Sequence, residues 1–271
     1  MARCVILAKV IFKNEIKMKP IIFCVILIFS RFSYAVSGSI SNTIYSNFKT
    51  VSTGENQSSN YSQIVVSEKI GPGLLSVSTG ALIDLRSPEK EILFQDSSLT
   101  HSIPFNLLGV NFNSKSSIKI PTSKFSKLIS ELVVGFSHGL ILPLSFELFS
   151  TPINTFIGIN NSFNINKYET NVFGGSNTQR SHTILGGLSF DLWEKINVSH
   201  SMGLSRSYTY SGVANETYFI SEMLTVGLGE FSLYAGYEMG NSILAPNGKD
   251  INIEFFNLDI STFNIGASLN F

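Results

Sequence analysis

The last eight residues, "NIGASLNF" from Asn264 to Phe271, have the pattern of a β-strand that continues to the end of the sequence. Every second position counted back from the end is apolar, and the positions between are polar or small; the apolar series is Phe271, Leu269, Ala267, Ile265 and Phe263. Chain termini are normally poorly ordered unless they are tied down. A strand that includes the final residue therefore predicts that this terminus is paired within a sheet.

The same alternation with a period of two recurs from residue 36 onward, which indicates strands with two different faces. Within 196–209 the even positions are mostly apolar, whereas the odd positions carry hydroxyl groups, amide groups or glycine. The face switches near Leu107 and Leu108 in one segment, and the segment 60–69 alternates less regularly. We find twelve segments, at about 39–51, 60–69, 73–85, 103–113, 128–137, 141–150, 153–165, 182–193, 195–208, 216–229, 231–241 and 258–271. The pattern predicts an all-β, antiparallel protein of about twelve strands.

Residues 1–35 have the features of a cleaved signal peptide. The uncharged apolar run at 20–29 is too short to cross a membrane as a helix, which takes about 20 residues. Met18 and a lysine precede this run, and the small-x-small sequence "SYA" at 33–35 follows it. We expect cleavage after residue 35 and take Met18 as the start of translation, with a genuine extension over 1–17 as the alternative. The domain that remains is 36–271.

Removal of the signal peptide changes the charge and the redox chemistry of the chain. Residues 36–271 carry 13 basic and 18 acidic residues, a formal charge of −5, and this balance argues against a nucleic-acid partner. Both cysteines, Cys4 and Cys24, are removed, which excludes disulfides and thiolate sites from the remaining chain. The four histidines show no metal-ligand spacing, and no nucleotide motif is present. We therefore expect no cofactor and no metal.

The signal peptide, the cysteine-free alternating body and the terminal "FNIGASLNF" resemble Gram-negative outer-membrane β-barrel proteins. The resemblance extends over 36–271 and implies a transmembrane barrel in the outer membrane, with short periplasmic turns and long external loops. It also implies that the last strand is the signal read by the barrel assembly machinery, through the apolar face that carries Phe263, Ile265, Leu269 and Phe271. A secreted β-sandwich or adhesin-like domain is the alternative.

Two charged pairs are expected on the lipid-facing side of one hairpin. If the strands 195–208 and 216–229 fold about Ser211, His200 faces Glu222. In the same register Arg206 faces Glu216, near the outer rim. Cross-strand opposite charges stabilise a sheet by about 0.2–1 kcal/mol, whereas a cation at the bilayer midplane costs about 2–4 kcal/mol. For the deeper pair, a structural or subunit contact, an error of register and a functional site all stay open.

The stretch around His200 also raises the question of a lipid-modifying enzyme. Outer-membrane phospholipases carry the nucleophilic serine two residues after a histidine, because alternate strand residues share a face. Here the residue two positions after His200 is Met202, and Ser201 points to the other face. The sequence therefore favours a protein that is not an enzyme.

A pair of carboxylates is expected inside the barrel. In the segment 130–148 a loop around Gly139 would place Glu131 opposite Glu147 on the lumen wall, with Lys49 as a candidate partner. Neighbouring carboxylates repel, which raises the pKa of one of them. A constriction that attracts cations and a salt-bridged plug are both consistent with this arrangement.

The expected lumen suits a narrow passive channel or uptake barrel for small neutral or weakly cationic solutes. Its positions carry mainly Asn, Ser and Thr, without the arginine ladder of an anion pore. Barrels of eight strands are filled by side chains, and barrels of 16–18 strands leave an aqueous channel. A barrel of twelve strands lies between these sizes, which is consistent with a narrow pore. A phospholipase-like enzyme and a non-conducting structural or adhesive barrel are the alternatives. Outer-membrane lipid is an expected partner, and homo-oligomerisation is left open.

Overall fold

A computed structural model describes residues 36–47, 58–86, 91–148, 151–244, 251–254, 257 and 260–271, so the signal peptide expected at 1–35 lies outside the described residues. Within this part of the chain the structure is almost entirely β, with one turn of π-helix at Phe125–Ile129. The strands are β1 (Val36–Asn47), β2 (Ser58–Ile70), β3 (Gly73–Asp84), β4 (Ile92–Phe94), β5 (Ser97–Leu107), β6 (Val110–Ile120), β7 (Leu132–Leu148), β8 (Thr151–Asn166), β9 (Thr178–Trp193), β10 (Ile196–Thr209), β11 (Ala214–Leu228), β12 (Phe231–Ser242) and β13 (Ser261–Asn270).

Twelve of these strands form a closed antiparallel barrel. Neighbours along the chain pair with each other, and β13 pairs with β1, which closes the sheet. The short strand β4 is not one of the twelve barrel strands. It pairs with Ala81–Ile83 of β3, whereas β5 pairs with Leu74–Ser78 of the same strand. The sequence-based prediction of an antiparallel barrel with about twelve strands is confirmed.

Short turns lie at one end of the barrel and most of the long connections at the other. The turns after β5 and β11 contain Gly109 and Gly229, which have φ angles of 83° and 76°, in the left-handed region that glycine adopts without strain. Gly38 of β1 and Phe271 exchange backbone hydrogen bonds, so both ends of the described barrel lie on the side of the short turns. We call this the turn end and the opposite side the loop end. Within the described residues, no helix is long and apolar enough to cross a membrane.

Three of the predicted segments differ from the strands in the structure. The segment 103–113 is the hairpin between β5 and β6, which turns at Leu108 and Gly109. The predicted strands 128–137 and 141–150 are instead one strand, β7, with 17 residues. The prediction merged β5 and β6 into one segment and divided β7 into two, so the predicted total of twelve strands is still correct.

The described residues form no packed core of the kind found in a soluble domain. Among the described residues only four hydrophobic side chains are buried: Leu132, Tyr218, Ile220 and Met239. Along β9 and β10 the outward positions are mostly exposed and include Ile184 and Leu204, which are 62% and 49% exposed. The inward positions are mostly Ser, Thr, Asn and Gly and keep intermediate accessibility. The polar face is therefore the lumen wall, and the apolar face is the outer wall.

Three of the four buried hydrophobic residues lie on the outer wall. Tyr218, Ile220 and Met239 face outward by strand alternation, yet they are only 2–4% exposed. The connection between β12 and β13 covers them: Ile243 and Ile260 pack against this cluster, and the Glu254 amide donates a hydrogen bond to the Tyr218 hydroxyl at 3.1 Å. Part of the apolar outer wall is therefore shielded by the chain itself.

Candidate functional site

Hydroxyl ladders line the lumen wall across neighbouring strands. Serine and threonine side chains meet in direct cross-strand pairs and hydrogen-bond at 2.7–3.0 Å; the pairs are Ser67–Ser76, Ser78–Ser98, Thr100–Ser117, Ser162–Ser181 and Thr183–Ser205. These groups satisfy one another along the wall while their remaining capacity points to the lumen. The polar lining expected from the alternating sequence is thus organised in hydrogen-bonded pairs between neighbouring strands.

Four lumen-facing aromatic rings lie flat against glycines of a neighbouring strand. The rings of Tyr61, Phe156, Phe219 and Tyr234 cover Gly80, Gly187, Gly203 and Gly266 respectively. A Cβ atom added at Gly80 would lie 2.7 Å from the Tyr61 hydroxyl oxygen, and one at Gly266 would lie 2.6 Å from the Tyr234 ring. Glycine therefore lets each ring lie along the wall, which keeps its bulk out of the lumen.

Charged side chains of both signs face the lumen. Lys69 and Lys115 line one cavity of about 430 Å³ near the turn end, together with Ser102 and Asn113. Glu238 faces inward from β12, where its partner on β13 is Thr262. In the twelve-strand ring β6, which carries Lys115, and β12 are separated by six positions, so they form opposite walls. Lys115 and Glu238 thus lie on opposite walls of the lumen, whereas Lys69 on β2 lies only three strands from β12.

The expected pair of carboxylates is not formed. Glu131 and Glu147 lie at opposite ends of β7, about 50 Å apart along the strand at about 3.3 Å per residue. Glu131 precedes the strand, has a positive φ of 48°, and accepts a hydrogen bond from the Lys167 amide. The predicted loop around Gly139 is wrong because this glycine pairs with Asn160 inside a continuous strand. Lys49 lies outside the described residues.

The lumen-facing Lys119 is tied to the loop end through Asp96. The ammonium group of Lys119 lies 3.2 Å from a carboxylate oxygen of Asp96, whose side chain is 9% exposed. Asp96 also accepts hydrogen bonds from the amides of Thr122 and Ser123 and from the Ser126 hydroxyl. Burial alone would raise the pKa of Asp96, but these hydrogen bonds outweigh burial and hold the pKa below its ordinary value. The carboxylate thereby fixes the connection between β6 and β7.

Asparagine side chains join three of the connections at the loop end. The amides of Asn166 and Asn177 both donate to the Ser130 carbonyl, at 2.7 and 3.1 Å. The Tyr210 hydroxyl donates to the Asn164 carbonyl at 2.9 Å. The connections after β6, β8 and β10 are therefore joined by side-chain hydrogen bonds to backbone groups. The asparagines at these positions read as ordinary loop residues in the sequence, which gave no signal for this network.

The two predicted cross-strand pairs on the outer wall are present in the predicted register. His200 lies directly opposite Glu222, whose carboxylate accepts a hydrogen bond from His200 Nδ1, and Arg206 lies opposite Glu216 at 3.3 Å. An error of register is therefore ruled out as the explanation of these pairs. On the other side His200 faces Leu188 of β9, and Ser201 points into the lumen. The outer wall beside this histidine thus lacks the serine arrangement expected of a phospholipase.

A row of outward polar residues crosses seven strands and includes the Arg206–Glu216 pair. Consecutive members are direct cross-strand partners; the row is His101, Ser116, His138, Asn161, His182, Arg206 and Glu216. His138 hydrogen-bonds Ser116 at 3.0 Å, and His182 hydrogen-bonds Asn161 at 2.7 Å. The sequence predicted only the last pair, because the register of the other strands was either not assigned or, for 130–148, assigned wrongly.

The terminal strand pairs as the sequence predicted. Ile265 and Leu269 of β13 lie opposite Ile44 and Ile40 of β1, all on the outer wall. Phe263 lies on the same face and packs against Tyr237, with ring centroids 6.0 Å apart. The chain end is therefore part of the seam that closes the barrel.

The comparisons with known proteins support this architecture. No protein-family model matches the sequence, and no curated protein matches it either. The COG4313 outer membrane channel from Pseudomonas putida F1 superposes with a TM-score of 0.57 at 10% identity, over 88% of this chain and 95% of that one. The NanC porin gives a TM-score of 0.50 at 10% identity, over 86% of this chain and 98% of that one. At these identities the likeness shows the fold alone, and the fold of this chain is that of the outer-membrane β-barrel proteins.

Proposed function

We propose that the protein is a narrow passive channel in the Gram-negative outer membrane. The observation that carries this proposal is the polar lumen wall of the described strands: inward Ser, Thr and Asn side chains stay partly accessible, while only Leu132 among the described buried hydrophobic residues faces inward. The exposed apolar outer wall requires a hydrocarbon surrounding, because exposed apolar patches of this extent are rare on soluble monomers. Outer-membrane lipid and the barrel assembly machinery are the partners that follow from this location.

The solutes that best fit this lumen are small, polar and uncharged. Hydroxyl and amide groups exchange hydrogen bonds with such solutes without the cost of burying a charge. The weak preference for cations expected from Glu131 and Glu147 loses its geometric basis, because the two residues lie at opposite ends of β7. Lys115 and Glu238 on opposite walls leave the lumen without one dominant sign of charge. The two similar structures, described as a channel and a porin, support a role in passage.

Planar bilayer recordings of the purified barrel test the proposal. We expect ion conductance from the wild type, with a reversal potential that shifts toward cation selectivity in Lys115→Gln and toward anion selectivity in Glu238→Gln. The shifts should shrink from 0.1 M to 1 M salt, where the Debye length falls from about 10 Å to about 3 Å. Lys124→Gln is the matched control, because this lysine is 66% exposed and lies outside the lumen wall. A folded barrel that does not conduct would reject the channel in favour of a structural barrel, and release of fatty acid from lipid would favour an enzyme.

A further inference from the structure

Two arginines converge on one tyrosine ring at the loop end of the outer wall. Tyr208 lies directly opposite Arg180, and its strand neighbour Arg206 lies opposite His182. The guanidinium carbons of Arg180 and Arg206 lie 4.7 and 5.3 Å from the centroid of the Tyr208 ring. We call these four residues the outer-wall basic cluster. One ring therefore holds two like charges close together, an arrangement that cation–π contacts stabilise.

The charge of this cluster is only partly balanced. Glu216 is paired with Arg206 at 3.3 Å, but this arginine is still 56% exposed. Arg180 pairs across the strands with Phe163 on one side and Tyr208 on the other, and neither of these carries a negative charge. His182 is exposed and contacts Asn161, an amide. The cluster thus presents guanidinium donors that an anion can reach from outside the barrel.

The surroundings of the cluster specify what kind of anion can reach it. Arg180 lies two residues from the start of β9 and Tyr208 one residue from the end of β10, so the cluster lies at the edge of the outer wall. Directly below it, toward the turn end, the outer wall is apolar: Ile159, Ile184 and Leu204 are cross-strand neighbours and are 48–62% exposed. An amphiphile with an anionic head and hydrocarbon chains fits both surfaces at once.

We propose that the outer-wall basic cluster binds a phosphate on the headgroup of an outer-leaflet glycolipid, with the acyl chains lying against the apolar wall below. Arginine forks match the geometry of phosphate oxygens and are less strongly hydrated than lysine, which suits a site at the membrane boundary. Basic residues at a membrane surface attract anionic headgroups in the same way. The proposal rests on the outer-membrane location given above, but it does not depend on conductance.

Native mass spectrometry of the detergent-solubilised barrel tests the proposal, with bisphosphorylated lipid A and its dephosphorylated form as probes. We expect the phosphorylated lipid to remain bound, and the double variant Arg180→Gln, Arg206→Gln to weaken binding by about ten-fold or more, as loss of charge-assisted hydrogen bonds predicts. Arg180→Lys with Arg206→Lys should recover only part of the affinity, because lysine keeps the charge but not the fork. Lys195→Gln, in the turn between β9 and β10, is the matched control for charge.

The outcomes separate this site from the channel. Equal binding of the two lipids, or unchanged affinity in the double arginine variant, would overturn the lipid site and leave the channel proposal intact. Retained heat-modifiable mobility of the variant shows that the barrel is folded. Conversely, a non-conducting wild type that binds the phosphorylated lipid through these arginines would reject the channel and support the lipid site.

Discussion

The ring of Phe271 lies over Gly38, and the backbones of these two residues exchange both hydrogen bonds, at 2.8 and 2.9 Å. The final residue of the chain therefore packs on the third residue of the described barrel. A Cβ atom at Gly38 would lie 2.5 Å from the ring. The seam between β1 and β13 thus depends on a small residue facing a large one.

Substitution of Gly38 by alanine should destabilise the closed barrel. Overpacking a well-fitted contact costs about 1–3 kcal/mol, so we expect a lower midpoint for loss of the folded band on heating and less membrane-inserted protein. Phe271→Ser should also lower the inserted yield while export continues. In a double-mutant cycle, Gly38→Ala should cost less in the Phe271→Ala background, where the clash is relieved.

Gly186→Ala is the control for this seam, since the nearest atom to its added Cβ lies at 3.4 Å. Unchanged folded yield in both Gly38→Ala and Phe271→Ser would show that closure does not depend on this contact.

Gly80 should control the bore of the lumen through Tyr61. All three of the nearest atoms to a Cβ at Gly80, at 2.7–2.9 Å, belong to the Tyr61 side chain, so Gly80→Ala should push that ring away from the wall. We expect a smaller single-channel conductance in this variant. The double variant Gly80→Ala, Tyr61→Ala should conduct at least as well as the wild type, because the displaced ring is gone.

Gly186→Ala, on the outer wall, should leave the conductance unchanged. If Gly80→Ala conducts like the wild type while folded, the ring has another position along the wall and glycine does not set the bore.

The hairpin between β5 and β6 was missed because two leucines lie at its turn. Leu108 is 96% exposed with a φ of 52°, and the polar signals at this turn are limited to Gly109 and to Asn106, whose side chain accepts a hydrogen bond from the Gly109 amide at 3.0 Å. Apolar residues continue on both arms, where Phe105 and Phe112 stack with centroids 5.5 Å apart. A single strand is predicted across such a turn, because the two leucines at which the chain reverses are as apolar as the strands on either side.

Strand β7 was divided for the opposite reason. Gly139 and Pro143 look like breakers, but Gly139 faces Lys115 across the sheet and Pro143 lies beyond Ile141, the last residue of β7 that pairs with β6. A missing N–H is tolerated where a strand has a free side. The register around Ser211 could be predicted because a polar turn separates two cleanly alternating strands. This difference explains why His200–Glu222 was found correctly and Glu131–Glu147 was not.

The connection after β6 should lose stability in acid. The pKa of Asp96 is held below its ordinary value, so its contribution is present above the unfolded pKa of about 3.9 and is lost as the pH falls through the folded pKa. Hydrogen exchange of the Thr122 and Ser123 amides, which donate to Asp96, should therefore accelerate as the pH falls below about 4, beyond the intrinsic pH dependence of exchange. Asp96→Asn should expose these amides at every pH, at a cost of about 1–3 kcal/mol.

Glu91→Gln is the comparison for this carboxylate. Glu91 is 57% exposed and pairs with Lys124 at 3.2 Å, and an exposed pair contributes only about 0–1 kcal/mol. Equal protection of the two amides in wild type and Asp96→Asn would mean that the connection is held by other contacts.

The loop end should face the outside of the cell and the turn end the periplasm. The chain from residue 36 onward contains no cysteine, so single cysteines can be introduced without background labelling. Asn177 lies in a connection at the loop end but is only 6% exposed, whereas Phe173 in the same connection is 80% exposed and is the better position for labelling.

A membrane-impermeant maleimide added to intact cells should label Phe173→Cys. Glu194→Cys, in the exposed turn between β9 and β10, should react only after the outer membrane is permeabilised. Labelling of Glu194→Cys alone in intact cells would invert the orientation, and no labelling of either position after permeabilisation would show that the barrel is not assembled.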